Sequence, residues 1–158
     1  MLRRVPAGCN PVRVVASRQT GHVYVTARGS NELLEFSEHE LTNPGSDPRA
    51  ARVVVGASPV GVAVIENGRR VVVANSDRFS GRTPSLFVID STRIAANTMP
   101  VVGKIASRGC PREIRATADG HTLLVTNFSA GTLQIVDLNG TATDSQTPRL
   151  AMNLTTPH

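Results

Sequence analysis

Tryptophan is absent from this 158-residue chain, tyrosine occurs once, and aromatic residues make up only 3% of it. A chain so poor in stacking side chains is ill equipped to hold single-stranded nucleic acid, which rests on aromatic platforms set among basic groups. Lysine is nearly missing too: Lys104 stands alone, and the formal charge of +5 comes from scattered arginines. Their tightest groupings are Arg3-Arg4, Arg69-Arg70 and Arg112-x-x-Arg115, which form no basic stripe, so nucleic acid is not an expected partner. Long apolar runs are lacking as well. The greasiest stretch, Val53 to Ile65, is interrupted by Gly56, Ser58, Pro59 and Gly61, and it falls short of the ~20 apolar residues a spanning helix requires. The basic start at Arg3-Arg4 has no apolar segment behind it, so neither a signal peptide nor a membrane partner is expected. The compartment stays open. The only two cysteines, Cys9 and Cys110, lie in separate repeats, and no disulfide is expected between them.

What the chain does have is a hydrophobic share of 40%, with 13 glycines and 10 prolines. That balance suits a turn-rich globular β protein and excludes disorder. One pattern then recurs three times, at a period of about 50 residues. Its first copy runs from Gly8-Cys-Asn-Pro-Val through Gly21-His-Val-Tyr-Val-Thr-Ala to Asn31-Glu-Leu-Leu-Glu-Phe. The second has Gly56-Ala-Ser-Pro-Val, Gly68-Arg-Arg-Val-Val-Val-Ala-Asn and Ser85-Leu-Phe-Val-Ile-Asp. The third has Gly109-Cys-Pro, Gly120-His-Thr-Leu-Leu-Val-Thr-Asn and Thr132-Leu-Gln-Ile-Val-Asp.

Each copy holds four short apolar runs, in the second Val60–Ile65, Arg70–Ala74, Leu86–Ile89 and Val101–Ile105. Asn67-Gly68 and Asp119-Gly120 supply the positive φ of tight hairpins. Runs such as Val71-Val-Val-Ala are apolar throughout, as strands covered on both faces are. No helix of crossover length separates them; Asn31–Leu41 is too short and lacks a second apolar turn. The expected fold is therefore all-β, a β-propeller of three consecutive four-stranded antiparallel blades at about 8–55, 56–108 and 109–154.

The Gly-x-x-Pro entry, the Val-Tyr-Val-Thr-Ala, Val-Val-Val-Ala-Asn and Leu-Leu-Val-Thr-Asn strands and the closing Val-Ile-Asp or Ile-Val-Asp resemble the YVTN-repeat family over roughly Gly8 to Leu150. That resemblance implies a propeller related to seven-bladed, lactonase-like proteins, while one fold hosts many activities. Propellers close with about four to eight blades. Three blades thus imply either a partial chain, the preferred reading, or a protomer that closes by self-association.

In each blade the innermost strand borders the channel. Its second and fourth residues after the loop are Arg13 and Val15, Gly61 and Ala63, and Glu113 and Arg115. Charges there must pair or face water. Arg13, Glu113 and Arg115 are candidates for binding an anionic ligand, and equally for a structural Arg–Glu pair between neighbouring blades. The long loop Asn75–Ser85 offers Asp77, Arg78, Phe79 and Arg82, on the face where propellers commonly bind, though a tolerated insertion has the same look. His22 and His121 share a repeat slot, and His39 and His158 stand apart, so no metal is expected. No cofactor motif and no Ser-His-Asp order appears. Asn75, Asn127, Asp90 and Asp137 read as turn residues. Sequons at Asn127, Asn139 and Asn153 bear only on a secreted eukaryotic chain. Two functions follow as expectations: a platform for a small molecule or protein, and, as the resemblance permits, a lactonase-like hydrolase of sugar lactones.

Overall fold

In the computed structural model, residues 3–77, 80–96 and 98–138 are described, with the backbone of 150–151. The first sheet joins β1 (Pro11–Ser17), β2 (His22–Ala27), β3 (Glu32–Ser37) and β4 (Ala51–Val54), and the one-turn helix α1 (Glu38–Thr42) follows β3. The second joins β5 (Pro59–Ile65), β6 (Arg70–Asn75), β7 (Ser85–Asp90) and β8 (Val101–Ala106). The third joins β9 (Pro111–Ala116), β10 (Thr122–Asn127), β11 (Thr132–Asp137) and β12 (Leu150–Ala151). Neighbours in sequence are neighbours in each sheet, with every pair antiparallel. These are three four-stranded blades of a β-propeller.

The local chemistry repeats with the strands. Gly21, Gly68 and Gly120 sit in the same hairpin slot with φ of 66°, 93° and 73°, a region a side chain resists. Opposite the entry prolines the ladder slips once in every blade, at Pro11/Arg13, Pro59/Val62 and beside Pro111. Proline has no N–H to give the ladder, so a bulge forms there. The Thr26 hydroxyl accepts the Arg13 amide at 3.2 Å and donates to the Val60 carbonyl at 2.9 Å. Thr126 accepts the Glu113 amide in the same way at 3.1 Å. The threonine of the Val-Tyr-Val-Thr pattern thus holds the bulge, and in the first blade it also ties two blades together.

Two apolar seams form the core. Tyr24, Leu33 and Val53 of the first blade meet Val71, Val73 and Ile89 of the second. Val72, Ala74 and Leu86 on the second blade's other face meet Ile114, Leu123 and Val125 of the third. The innermost strands approach closely at Gly61, where a Cβ would fall 2.5 Å from the Arg112 carbonyl oxygen and 2.7 Å from the Ile114 side chain. The register places Leu33, Leu86 and Leu133 in one slot. The first two are fully buried at seams, whereas Leu133 is 44% exposed on the third blade's open face.

The opposite end differs from the two bare faces that three open blades imply. There Ala27, Leu34 and Phe36 are buried under Val5, Ala7, Leu41 and Ala50. Arg3 secures this strap through hydrogen bonds to the carbonyls of Asn43 and Ser46. The cover is partial, and Val14 remains 66% exposed.

Asn75 and Asn127 are not turn residues. Each ends a strand and is buried in a seam. Asn127 accepts from Ser107 at 2.9 Å and donates to Gln134 at 3.3 Å, and Ser107 also meets Gln134 at 2.9 Å. The equivalent Asn75 has neither side-chain atom bonded. Asp90, by contrast, caps the 3₁₀ turn Ser91–Arg93 through the Thr92 amide and hydroxyl.

Candidate ligand-binding site

The innermost strands β1, β5 and β9 lie side by side, and the structure brings all three channel candidates together. Arg13 Nε donates to Glu113 Oε2 at 3.1 Å, and Arg115 Nε stands 3.0 Å from Glu113 Oε1. Each carboxylate oxygen therefore faces a different guanidinium. The first of these pairs links the first blade to the third, not to its neighbour. Gly61 fills the equivalent slot of the second blade, its Cα side turned to the Arg112 carbonyl and Ile114.

Arg13 is 47% exposed, Glu113 35% and Arg115 79%. The cluster thus faces solvent and carries two positive charges against one negative. An incoming carboxylate or phosphate can take Glu113's place on one guanidinium fork, the geometry in which Arg recognises such groups.

A cleft of about 610 Å³ opens between the entry loops of the first two blades, lined by none of these three side chains. Asn10, Pro11, Val12 and Gly29 line one side, Ala57 and Ser58 the other, with Ser80 reaching in from the long loop. Pro11 and Val12 lead directly into Arg13 along β1. The loops are held by one repeated backbone pattern: Arg28 N to Asn10 O, Ser76 N to Ser58 O, and Phe128 N to Cys110 O, at 3.0–3.1 Å. Asn10, Ser58 and Cys110 share a left-handed conformation, with φ of 51°, 52° and 56°. Asn31 Oδ1 accepts the Ser58 amide at 2.9 Å and so couples the two walls.

Sequence reasoning singled out none of Asn10, Asn31 or Ser58. The available signal was a polar residue before the entry proline in the first two copies, where αL backbone tolerates Asn best.

In the long loop, Asp77 turns inward. It is 7% exposed, and its Oδ1 accepts the Ser80 hydroxyl at 2.9 Å. The same hydroxyl accepts the Arg82 amide at 3.3 Å, while the Arg82 side chain is exposed. Arg78 and Phe79 lie outside the described residues, as do His158 and the sequons at Asn139 and Asn153.

Cys9 packs against Gly29, one of the residues that line the cleft. Cys9 and Cys110 are free thiols. Among the described residues no group of three His, Cys, Asp or Glu side chains is placed to hold a metal ion. No helix among them is long and apolar enough to cross a membrane.

The fold is shared with solved propellers of distant sequence. A functionally unknown protein from Desulfotomaculum acetoxidans superposes with a TM-score of 0.68 at 13% identity, over 88% of this chain and 40% of that one. The periplasmic gluconolactonase of Pseudomonas aeruginosa gives 0.61 at 19% identity, over 95% and 40%. The β-propeller domain of Cps50 (Swd1) from Myceliophteria thermophila gives 0.60 at 10%, over 85% and 37%. This chain spans about two fifths of the length of these neighbours. No protein-family model and no curated protein matches it.

Proposed function

We propose that this chain is a ligand-binding part of a YVTN-type β-propeller, in which Arg13, Glu113 and Arg115 receive an anionic group and the adjoining cleft holds the rest of the molecule. One observation carries the reading: two guanidiniums grip a single, partly exposed carboxylate at the inner strands. A purely structural pair needs one arginine. The second leaves a net positive charge facing solvent, within reach of an incoming anion. The remaining blades belong to a longer parent chain in this reading, and to a second copy in its rival. Solution mass separates the two, because a stable dimer supports closure by association.

The binding test is titration calorimetry with inorganic phosphate and gluconate as probes. Binding that weakens in Arg115→Ala and Arg13→Ala supports the site, and equal heats in all three proteins remove it. A lactonase-like activity is the second reading, favoured by the likeness in fold to the gluconolactonase. In it the arginines stabilise the developing oxyanion and Glu113 serves as base. Turnover of sugar lactones by the purified chain, absent in an Arg115→Ala/Glu113→Ala variant, would support it. Equal background rates in both would exclude it.

A further inference from the structure

On the rim opposite the cleft, the seam between the first two blades contains a polar cluster that neither repeat nor packing calls for. Tyr24 and Glu35 are cross-strand partners on β2 and β3. Both are buried, Tyr24 completely and Glu35 to 6% exposure. His22, two residues before Tyr24 on the same face, brings its Nδ1 to 3.2 Å from Glu35 Oε1 and sets its ring edge-on to the tyrosine at 6.3 Å. The phenol oxygen lies near Glu35, Thr20 and, across the seam, Ser91 of the second blade, yet it is buried without a hydrogen-bond partner among the described residues, as are Glu35 Oε1 and His22 Nδ1. Ser91 in turn donates to the Gly68 carbonyl at 2.7 Å. In the other two blades the Tyr24 and Glu35 slots hold only Val72 with Val88 and Leu124 with Ile135. An aliphatic pair therefore suffices for a blade, and a buried carboxylate costs stability wherever an apolar pair would serve.

We propose that His22, Tyr24 and Glu35 form a proton-operated latch: the seam closes tightly when Glu35 is neutral and loosens when Glu35 ionises within it. Burial raises the Glu35 pKa, and attraction from His22 and the nearby Tyr24 phenol only partly oppose the rise. Burial, and then the Glu35 charge, push the Tyr24 phenol far above its usual range, so it remains a donor. A carboxyl whose pKa is raised by folding contributes most below its unfolded value, and the contribution is lost as pH climbs through the folded one. The latch therefore opens on the alkaline side of the ordinary carboxyl range.

The neighbouring charges are committed elsewhere. Asp90 pairs with Arg70 and Arg93, Glu66 with Arg70, and Arg52 with Glu32. Glu38, His39 and Glu40 of α1 are not buried, and Arg18 and Arg69 are exposed.

The chain carries its own probe, because Tyr24 is its only tyrosine and it has no tryptophan. A carboxylate beside a buried phenol quenches its emission, so Tyr24 fluorescence, read next to its cross-strand partner, follows the charge on Glu35. The full chain is titrated from about pH 4 to pH 9, with Tm measured in parallel. The expected result is one loss of emission centred above the ordinary carboxyl value of about 4.3, matched by a falling Tm. Glu35→Gln should abolish both, and His22→Gln should move the midpoint upward. Flat wild-type emission, a midpoint within the ordinary range, or a transition surviving Glu35→Gln would overturn the proposal. Should Glu35→Gln fail to fold, Glu35→Val, which reproduces the Val88 slot, carries the same comparison.

Discussion

Arg13 Nε and Glu113 Oε2 meet at 3.1 Å although 100 residues separate them along the chain. The contact exists because the three innermost strands pack abreast, Gly61 of the middle one lying tight against Arg112 and Ile114 of the third. Its partners are well exposed, so it contributes little to stability, about 0–1 kcal/mol. Glu113→Gln is therefore expected to leave Tm nearly unchanged while strengthening phosphate binding, since both guanidiniums lose their internal anion. A calorimetric titration at low and high salt checks this, with the gain shrinking as salt rises.

The two seam asparagines should respond in opposite ways. Asn127→Ala strands Ser107 and Gln134 in a buried seam, at a cost of about 1–3 kcal/mol. Asn75 has no bonded partner to strand, and Ala27 already occupies the equivalent slot in the first blade, so Asn75→Ala should cost less than about 1 kcal/mol. Urea unfolding of the pair measures the difference. Equal losses would show that the Ser107–Asn127–Gln134 network contributes nothing.

Leucines in one repeat slot give a similar contrast. Leu86 is fully buried between blades while Leu133 is 44% exposed. Leu86→Ala should cost about 2–5 kcal/mol, and Leu133→Ala should stay within about 1 kcal/mol. Chemical denaturation decides. A large loss at Leu133 would mean that its face is covered in solution.

Asp90 supplies an acid limb to the stability profile. Burial alone would raise its pKa, but the Thr92 hydroxyl and amide, then Arg70 and Arg93, outweigh this and hold the carboxyl below its usual range. Its contribution is therefore complete above the ordinary Asp value of about 3.9 and declines as pH falls through the lowered one. Asp90→Asn should flatten Tm against pH on that acid side and lower Tm near neutrality. An unchanged acid slope would show that the ion pairs with Arg70 and Arg93 carry no weight.

The blades were legible in the sequence because the hairpin turns and entry loops between strands are marked by chemistry that local rules describe. The expected Arg70–Ala74 and Leu86–Ile89 runs sit inside β6 and β7, and the hairpin glycines have the positive φ that their turns demand. The channel charges could also be picked out, since Arg13, Glu113 and Arg115 break an apolar strand. Their partners could not, because Arg13 reaches past one blade to the next, a contact that only the tertiary arrangement shows. Asn75 and Asn127 were misread for a related reason: a strand's last residue and a turn's first look alike until the neighbouring blade is in place. Asp77 was expected in the binding loop, and Arg78 and Phe79 beside it lie outside the described residues. The Tyr24–Glu35 pair gave no signal at all, since a single glutamate in an apolar strand reads as a solvent-facing position.

The strap of Val5, Ala7 and Leu41 over the first blade makes the stack polar in the mechanical sense. A further sheet arriving beside Leu133 finds bare surface and can dock at once. One arriving at the other end must first prise away a segment pinned by Arg3. A neighbouring sheet therefore meets less resistance beside the third blade than beside the first.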